Sequence, residues 1–183
     1  MQSYEGQFLV ASSLLLDNNF VKTVVLLVQH SDEGALGLVV NRPTSKTVKE
    51  LWREVSDAPC ENQSPIHLGG PVSGPLMAVH AARKFAEIEI LPGVYFTAKK
   101  ENLDQLVVQK RHPLKIFAGH AGWGPGQLEH EIEEGAWTVT SASAEFVFFD
   151  GTDLWEEVTE QHGRSLLESV LKIKHIPEDP SVN

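Results

Sequence analysis

Three short stretches of the sequence place polar residues next to glycine and proline, a combination from which ligand-binding loops are often built. They are NRP at residues 41–43, HLGGP at 67–71 and GHAGWGPG at 119–126. An arginine beside accessible backbone can bind a carboxylate or a phosphate, and a histidine can transfer a proton near neutral pH. The candidate ligand-binding residues are Asn41, Arg42, His67, Gly69, Gly70, His120 and Trp123.

None of the common catalytic or metal-binding motifs is complete in this sequence. It has no Walker phosphate loop, and its glycine-rich stretch does not follow the GxGxxG pattern of dinucleotide-binding proteins. Ser73 lies one position too late for a GxSxG nucleophile elbow, and Glu134 stands where an HExxH zinc motif starting at His130 requires a second histidine. Cys60 is the only cysteine, and the carboxylate of Glu61 beside it disfavours a reactive thiolate. We therefore predict no catalytic residue, no metal site and no cofactor.

The composition is that of an acidic protein without a membrane-spanning segment. The formal net charge is -10, whereas nucleic-acid binding needs a basic surface that displaces counterions from phosphate. One local basic cluster is interrupted by acids and is typical of a solvated helix face; it consists of Lys99, Lys100, Lys110, Arg111 and Lys115. No apolar run reaches the roughly 20 residues of a transmembrane helix, and the N-terminus lacks the pattern of a secretory signal. We expect a cytoplasmic protein that binds neither membranes nor nucleic acid directly.

Apolar patterns predict more strands than helices. The run at 23–29 is rich in β-branched residues, as in a strand buried on both faces. Together with 36–41 it predicts a hairpin, in which Gly37 marks a bulge or a close backbone approach. Thr47 and Glu50 have the spacing of a helix capping box. Further strands are predicted at 6–11, 66–68, 76–81, 87–90, 94–97, 114–118 and 137–142, and further helices at 99–108, at 127–134 and in the tail from 154, where Gly163 marks a helix end.

These elements predict an α/β (α+β) fold. We expect a single compact domain over residues 1–183, with a mixed, largely antiparallel, coiled β-sheet flanked by short helices. A regular βαβ alternation is missing, so a doubly wound nucleotide-binding fold is not expected. The tail from about residue 177 is expected to be frayed.

The stretch at 119–126 supports a structural and a functional interpretation. In the structural one, the glycines form a sharp corner, Trp123 is buried close to residues 69–71, and Gly122 or Gly126 adopts a conformation that a β-carbon opposes. In the functional one, the corner meets the other two stretches and lines a ligand cleft, because loops that follow strands often build binding sites. A rigid corner is compatible with a cleft beside it.

Taken in order, three stretches resemble the YqgE/AlgH family of bacterial proteins. They are GALGLVVNRP at 34–43, LGGPV at 68–72 and GHAGWGPGQLE at 119–129. The resemblance implies a cytosolic domain with a compact, coiled α/β fold, and it implies no particular reaction. Some members are labelled transcriptional regulators, which describes a genetic role, and this sequence contains no basic helix-turn-helix. The family often has tyrosine or serine where this sequence has His120, which weakens the case for an imidazole in catalysis.

Two functional hypotheses follow. The preferred one is a non-enzymatic binding or regulatory module that acts through an unidentified protein partner or a small ligand, because no catalytic arrangement is visible. The alternative is a binder of a small anion or metabolite, or an enzyme acting on one, that uses Arg42 and His120 in a glycine-lined cleft. The ordinary structural roles of the candidates are an ion pair with one of the many acids for Arg42 and a core histidine with satisfied hydrogen bonds for His67.

Overall fold

The computed structural model describes residues 3–109, 111–151 and 153–171. Its strands are β1 (Gln7–Ala11), β2 (Val24–Ser31), β3 (Gly34–Val39), β4 (Pro43–Thr47), β5 (Pro65–Leu68), β6 (Met77–His80), β7 (Ile88–Leu91), β8 (Val94–Thr97), β9 (Leu114–Ala118), β10 (Ala121–Trp123) and β11 (Trp137–Ser141). Its α-helices are α1 (Val48–Val55), α2 (Lys100–Leu106), α3 (Gln127–Glu133), α4 (Ala144–Val147) and α5 (Leu154–Leu171). None of these helices is long and apolar enough to cross a membrane.

The strands form two sheets. The first has the order β10-β3-β2-β1-β11, and all of its neighbouring strands are antiparallel. The second has the order β4-β5-β9-β6-β8-β7, in which β5 and β9 are parallel and the other pairs are antiparallel. The predicted α/β fold with mixed, largely antiparallel strands is confirmed, with the strands divided between two sheets.

Three apolar clusters hold these layers together. The largest lies between the two sheets and includes Leu26 of β2 and Phe117 of β9. The second packs α1, through Trp52, and α2 against the other face of the second sheet. The third lies on the outer face of the first sheet and includes Val25 of β2 and Leu128 of α3. Because alternate residues of β2 belong to the first and third clusters, the predicted burial of this strand on both faces is confirmed.

Local sequence signals place several element boundaries correctly. The hairpin of β2 and β3 forms as predicted, with a bulge between Leu27 and Gln29 opposite Gly37. The capping box of α1 is also present. The predicted helix end at Gly163 is wrong, because α5 continues through it. A single helical glycine costs only about 1 kcal/mol relative to alanine. The predicted frayed tail lies outside the described residues.

Three short elements were not predicted. β4 starts at Pro43 in the NRP stretch, β10 lies inside the glycine-rich stretch, and α4 has four residues. Segments of three to five residues show too little periodicity to be read from the sequence. They become regular only because a neighbouring strand or an apolar cluster holds them.

Candidate functional site

The chain crosses between the two sheets at two neighbouring points. Residues 40–42 lead from β3 to β4, and residues 119–120 lead from β9 to β10. The loop at 69–74 lies between these crossings. The Gly69 carbonyl accepts a hydrogen bond from the last residue of β3 at 2.8 Å, and the Gly69 amide donates to the last residue of β9 at 3.0 Å. The three stretches selected from the sequence therefore meet in one place, which we call the crossing junction.

Backbone segments touch within the crossing junction. The amides and carbonyls of Val72 and His120 exchange two hydrogen bonds, at 3.0 and 2.9 Å. Gly70 and Gly119 have φ angles of 152° and 73°, which L side chains rarely adopt. A β-carbon on Gly70 would lie 2.2 Å from the carbonyl carbon of His120, and one on Gly119 would lie 2.6 Å from the Gly70 carbonyl oxygen. Glycine at these positions allows a close and rigid contact between the two sheets.

A cleft of about 360 Å³ opens beside the crossing junction. Arg42, Leu68 and residues 70–74 form much of its wall. Leu68 and Val72 are 45% and 42% exposed, so the wall presents apolar side chains together with glycine-rich backbone. Two of the seven candidate residues, Arg42 and Gly70, belong to this wall, and Gly69 lies directly behind it.

Asn41 and Arg42 bind the loop that precedes β2. The Arg42 guanidinium donates to three backbone carbonyls of residues 18–21, at 2.5 to 3.2 Å. The Asn41 amide accepts from the Val24 amide and donates to the Lys22 carbonyl, both at 2.9 Å. Burial lowers the pKa of Arg42, against the opposing charge of Asp17, but the guanidinium stays protonated. Both side chains therefore position the loop beside the cleft.

His67 lies in the core between the sheets. It is 4% exposed, and its ring centroid is 5.6 Å from that of Phe117. Burial, and then the charge of Lys115, lower the pKa of His67 to about 4. The imidazole is thus neutral at pH 7 and lies in the core, outside the wall of the cleft, but it is not a satisfied core histidine, because its buried Nδ1 has no hydrogen-bond partner among the described residues.

His120 lies behind the cleft wall, next to Gly74. Its Nδ1 is buried and has no hydrogen-bond partner among the described residues. A β-carbon on Gly74 would lie 3.3 Å from this nitrogen. Because Gly74 is part of the wall, the unpartnered nitrogen is separated from the cleft by a residue without a side chain.

Trp123 is buried, as predicted, but on the outer face of the first sheet. Its indole N–H donates to Oε2 of Glu131 at 2.8 Å, and the N–H of Trp137 donates to the same oxygen at 2.8 Å. The Trp123 ring packs edge-on against Trp137 and is stacked near Phe20. The expected neighbours at 69–71 pack instead against the backbone of residues 119–120.

The two candidate corner glycines behave differently. Gly126 has a φ of 72° and precedes α3 as its N-cap, as predicted for one of the pair. Gly122 is absent from the described residues with positive φ, and a β-carbon there would meet nothing closer than 3.9 Å. The corner therefore depends on Gly126 and not on Gly122.

A larger cavity, of about 590 Å³, lies away from the crossing junction and was not predicted. Lys115 and Asp150 are part of its wall. The Lys115 ammonium donates to the Phe149 carbonyl at 2.6 Å and to the Val40 carbonyl at 3.3 Å, and burial lowers its pKa to about 8. Alternation in the strand LKIFA could have revealed this position, because it places Lys115 on the same buried face as Phe117. Because the Lys115 ammonium is already hydrogen-bonded to backbone carbonyls, we consider this cavity a weaker candidate site than the cleft.

The members of the basic cluster that the structure describes do not form one surface, and Lys110 lies outside the described residues. Lys115 is buried, and Lys100 pairs with Asp104 at 3.0 Å. The Nζ of Lys99 lies 3.5 Å from the Oε1 of Glu87. Among the described residues, no group of three or more histidine, cysteine, aspartate or glutamate side chains could hold a metal ion.

Comparison with known proteins finds relatives along the whole chain. A family model described as AlgH-like matches residues 8–167. A UPF0301 protein of Chlorobaculum tepidum is 36% identical over 97% of this chain and 95% of its own length. A UPF0301 protein of Streptomyces coelicolor is 36% identical over 100% of this chain and 97% of its own length.

Solved structures share the fold. The solution structure of the AlgH protein from Pseudomonas aeruginosa matches with a TM-score of 0.70 and 27% identity, over 97% of this chain and 99% of that one. The crystal structure of a Corynebacterium diphtheriae protein matches with a TM-score of 0.66 and 26% identity, over 88% of both chains. These matches confirm the resemblance drawn from the three stretches.

Proposed function

We propose that this chain, which belongs to the AlgH-like family, is a non-enzymatic binding module whose cleft at the crossing junction receives a segment of a partner protein. The cleft then serves recognition and carries no reaction. A regulatory effect would follow from the partner that occupies it, without direct contact with DNA.

The polar side chains around the cleft support this function. A catalytic site needs a side chain that is free to attack the substrate or to exchange a proton with it. Here the side chains of Asn41 and Arg42 are hydrogen-bonded to backbone groups of the loop before β2. The imidazole of His67 is neutral in the core, and the indole N–H of Trp123 is hydrogen-bonded to Glu131. The groups proposed for chemistry are thus largely used by the fold itself.

The wall of the cleft is suited to a peptide segment. Leu68 and Val72 are apolar and partly exposed, and burying such side chains is favourable by about 25 cal/mol per Å² of apolar surface. The glycine-rich loop at 70–74 lets another backbone approach closely. The crossing junction keeps this wall fixed, so little conformational entropy is lost when a partner binds.

Site-specific photo-crosslinking in living bacteria tests this function. A photoreactive phenylalanine analogue is placed at Ser73, in the cleft wall, or at Gln109, in the wall of the larger cavity. We expect a defined protein adduct from position 73 and none from position 109. The adduct should be lost in Val72→Glu, which places a charge on the apolar wall, and kept in Val170→Glu, whose position is 74% exposed on α5.

Two results would contradict the proposal. Equal adducts from positions 73 and 109 would show contact without selectivity for the cleft. An adduct from position 109 alone would move the binding site to the larger cavity. Circular dichroism of the Val72→Glu protein separates loss of binding from loss of folding.

A small anion or metabolite is the second candidate ligand. It is favoured by the unpartnered Nδ1 of His120 behind the wall and by the guanidinium of Arg42 within it, since buried polar atoms without partners are uncommon. A thermal-shift panel of phosphates and carboxylates tests it, with His120→Phe as the variant. A stabilising compound whose effect is lost in His120→Phe would support this ligand class, and the absence of any stabilising compound would favour the protein partner.

A further inference from the structure

The edges of the two sheets differ in how well they are protected. Among the described strands, β10 and β11 form the edges of the first sheet, and β4 and β7 those of the second. Unpaired strand edges can pair with other chains, and proteins usually block them with proline, charge, bulges or short length. β4 contains Pro43 and Lys46, β7 contains Glu89 in an irregular register, and β10 has three residues.

β11 has none of these protections. Its sequence, WTVTS, contains no charge and no proline. It pairs with β1 in an uninterrupted register over all five residues. It is therefore a regular edge strand with high β-propensity, which is the kind of edge that accepts another strand.

The register shows which backbone groups point outward. The amide of Ser12 donates to the carbonyl of Ala136 at 2.9 Å, so these two residues form a hydrogen-bonded pair. Such pairs alternate along an antiparallel ladder, which makes Thr138 and Thr140 the residues bonded to β1. The N–H and C=O groups of the remaining residues of β11, including Val139, therefore point away from the sheet.

We propose that this free edge is a self-association surface, at which a second copy of the chain adds its own β11 in antiparallel orientation. The segment Thr138-Val139-Thr140 reads the same in both directions. When two copies are aligned on Val139, its outward N–H and C=O groups bond to those of the other Val139. On either side of Val139, Trp137 of one copy lies opposite Ser141 of the other, and their outward N–H and C=O groups also bond to each other. Every outward backbone group of the strand therefore finds a partner.

Side chains fit this alignment as well. Thr138 of each copy lies directly opposite Thr140 of the other, in a non-hydrogen-bonded pair, where side chains are closest. Threonine pairs across strands are favourable, and neither position carries a charge that would repel its counterpart. The contact uses the same surface on both copies and is therefore closed, which produces a dimer with one continuous ten-stranded sheet and not a filament.

A charge-pair experiment tests the dimer. The first variant combines Thr138→Lys with Thr140→Lys, and the second combines Thr138→Glu with Thr140→Glu. In either variant alone, two like-charged pairs face each other across the contact, and we expect dissociation to become easier by about tenfold or more. In an equimolar mixture, opposite charges face each other and the dimer should return as a heterodimer. Thr44→Lys, on the protected edge strand β4, is the matched control and should not change association.

Sedimentation equilibrium measures the outcome. The parent chain and the control should approach twice the monomer mass of 20.2 kDa at high concentration, each double variant should stay near 20.2 kDa, and the mixture should recover the higher mass. Recovery in the mixture shows that the variants are folded. A monomeric parent at the highest concentration, or double variants that remain dimeric, would overturn the proposal.

Discussion

One carboxylate oxygen of Glu131 accepts hydrogen bonds from two tryptophans. Removing this side chain is expected to destabilise the glycine-rich corner at 119–126. Its Oε2 accepts the indole N–H groups of Trp123 and Trp137 at 2.8 Å each, and its Oε1 accepts from the Gln127 side chain at 2.8 Å. Trp123 and Trp137 are 7% and 4% exposed. Glu131→Ala therefore leaves two buried donors without their partner.

The expected loss of stability follows from those two donors. A buried donor that loses its partner costs about 1–3 kcal/mol. Because Glu131 is itself only partly buried, water can replace part of the interaction, and we expect a total loss of about 2–4 kcal/mol. In a chain of this size, 1 kcal/mol lowers the Tm by about 2–4 °C. Glu131→Gln keeps one carbonyl oxygen that can accept both indoles, so its loss should be much smaller.

Urea unfolding, followed by tryptophan fluorescence, measures the effect. The matched control is Glu134→Ala, which removes an exposed carboxylate from the C-terminal end of the same helix. The Oε1 of this carboxylate lies 3.4 Å from the Nε2 of His130. We expect the control to stay within about 0.5 kcal/mol of the parent, as is usual for surface substitutions. If Glu131→Ala and Glu134→Ala unfold at the same urea concentration, the carboxylate does not hold the two tryptophans and the reasoning is refuted.

Trp123→Ala should lower the free energy of unfolding by about 3–5 kcal/mol, the usual cost of deleting a buried aromatic, and an unchanged urea midpoint would contradict its packing role. Gly126→Ala should cost about 1 kcal/mol because of its positive φ, whereas Gly122→Ala should cost less, and a thermal melt of the two proteins compares them. Stability should fall as the pH is lowered from about 6.5 to about 4, because burial holds the pKa of His67 and His80 at about 4 in the folded chain, so the unfolded chain binds more protons in that window. A urea series across this window should show a weaker pH dependence in His67→Phe. A labelled DNA duplex should show no rise in anisotropy at low salt, because the net charge is -10, and tight binding of one sequence over scrambled duplexes would contradict this.

Local signals in the sequence predict the elements that depend on local physics. The hairpin of β2 and β3 needs only two apolar runs and a turn, and the capping box at Thr47 needs only two residues at the correct spacing. By contrast, β10 is a strand because Ala121 to Trp123 pair with the distant β3. The division into two sheets is also invisible locally, because both sheets contain similar strands.

The same distinction applies to the candidate site. The three stretches could be predicted to meet because each follows a strand, and loops at strand ends often gather. The partners of individual side chains could not, because Arg42 reaches the loop at 18–21 and His67 packs on Phe117, and neither partner is close in sequence. Polar residue types indicate where a site can form, whereas tertiary contacts decide which of them remain free.

Three residues of the glycine-rich stretch have a clear structural role. Gly119 allows the close contact with Gly70, the backbone of His120 pairs with Val72, and Gly126 starts α3. Each of these roles concerns backbone, so the fold requires Gly119 and Gly126 whether or not a ligand binds. The imidazole of His120 differs, because its buried Nδ1 takes part in none of these contacts. The choice between a protein segment and a small ligand in the cleft therefore depends on this one ring nitrogen more than on the glycines around it.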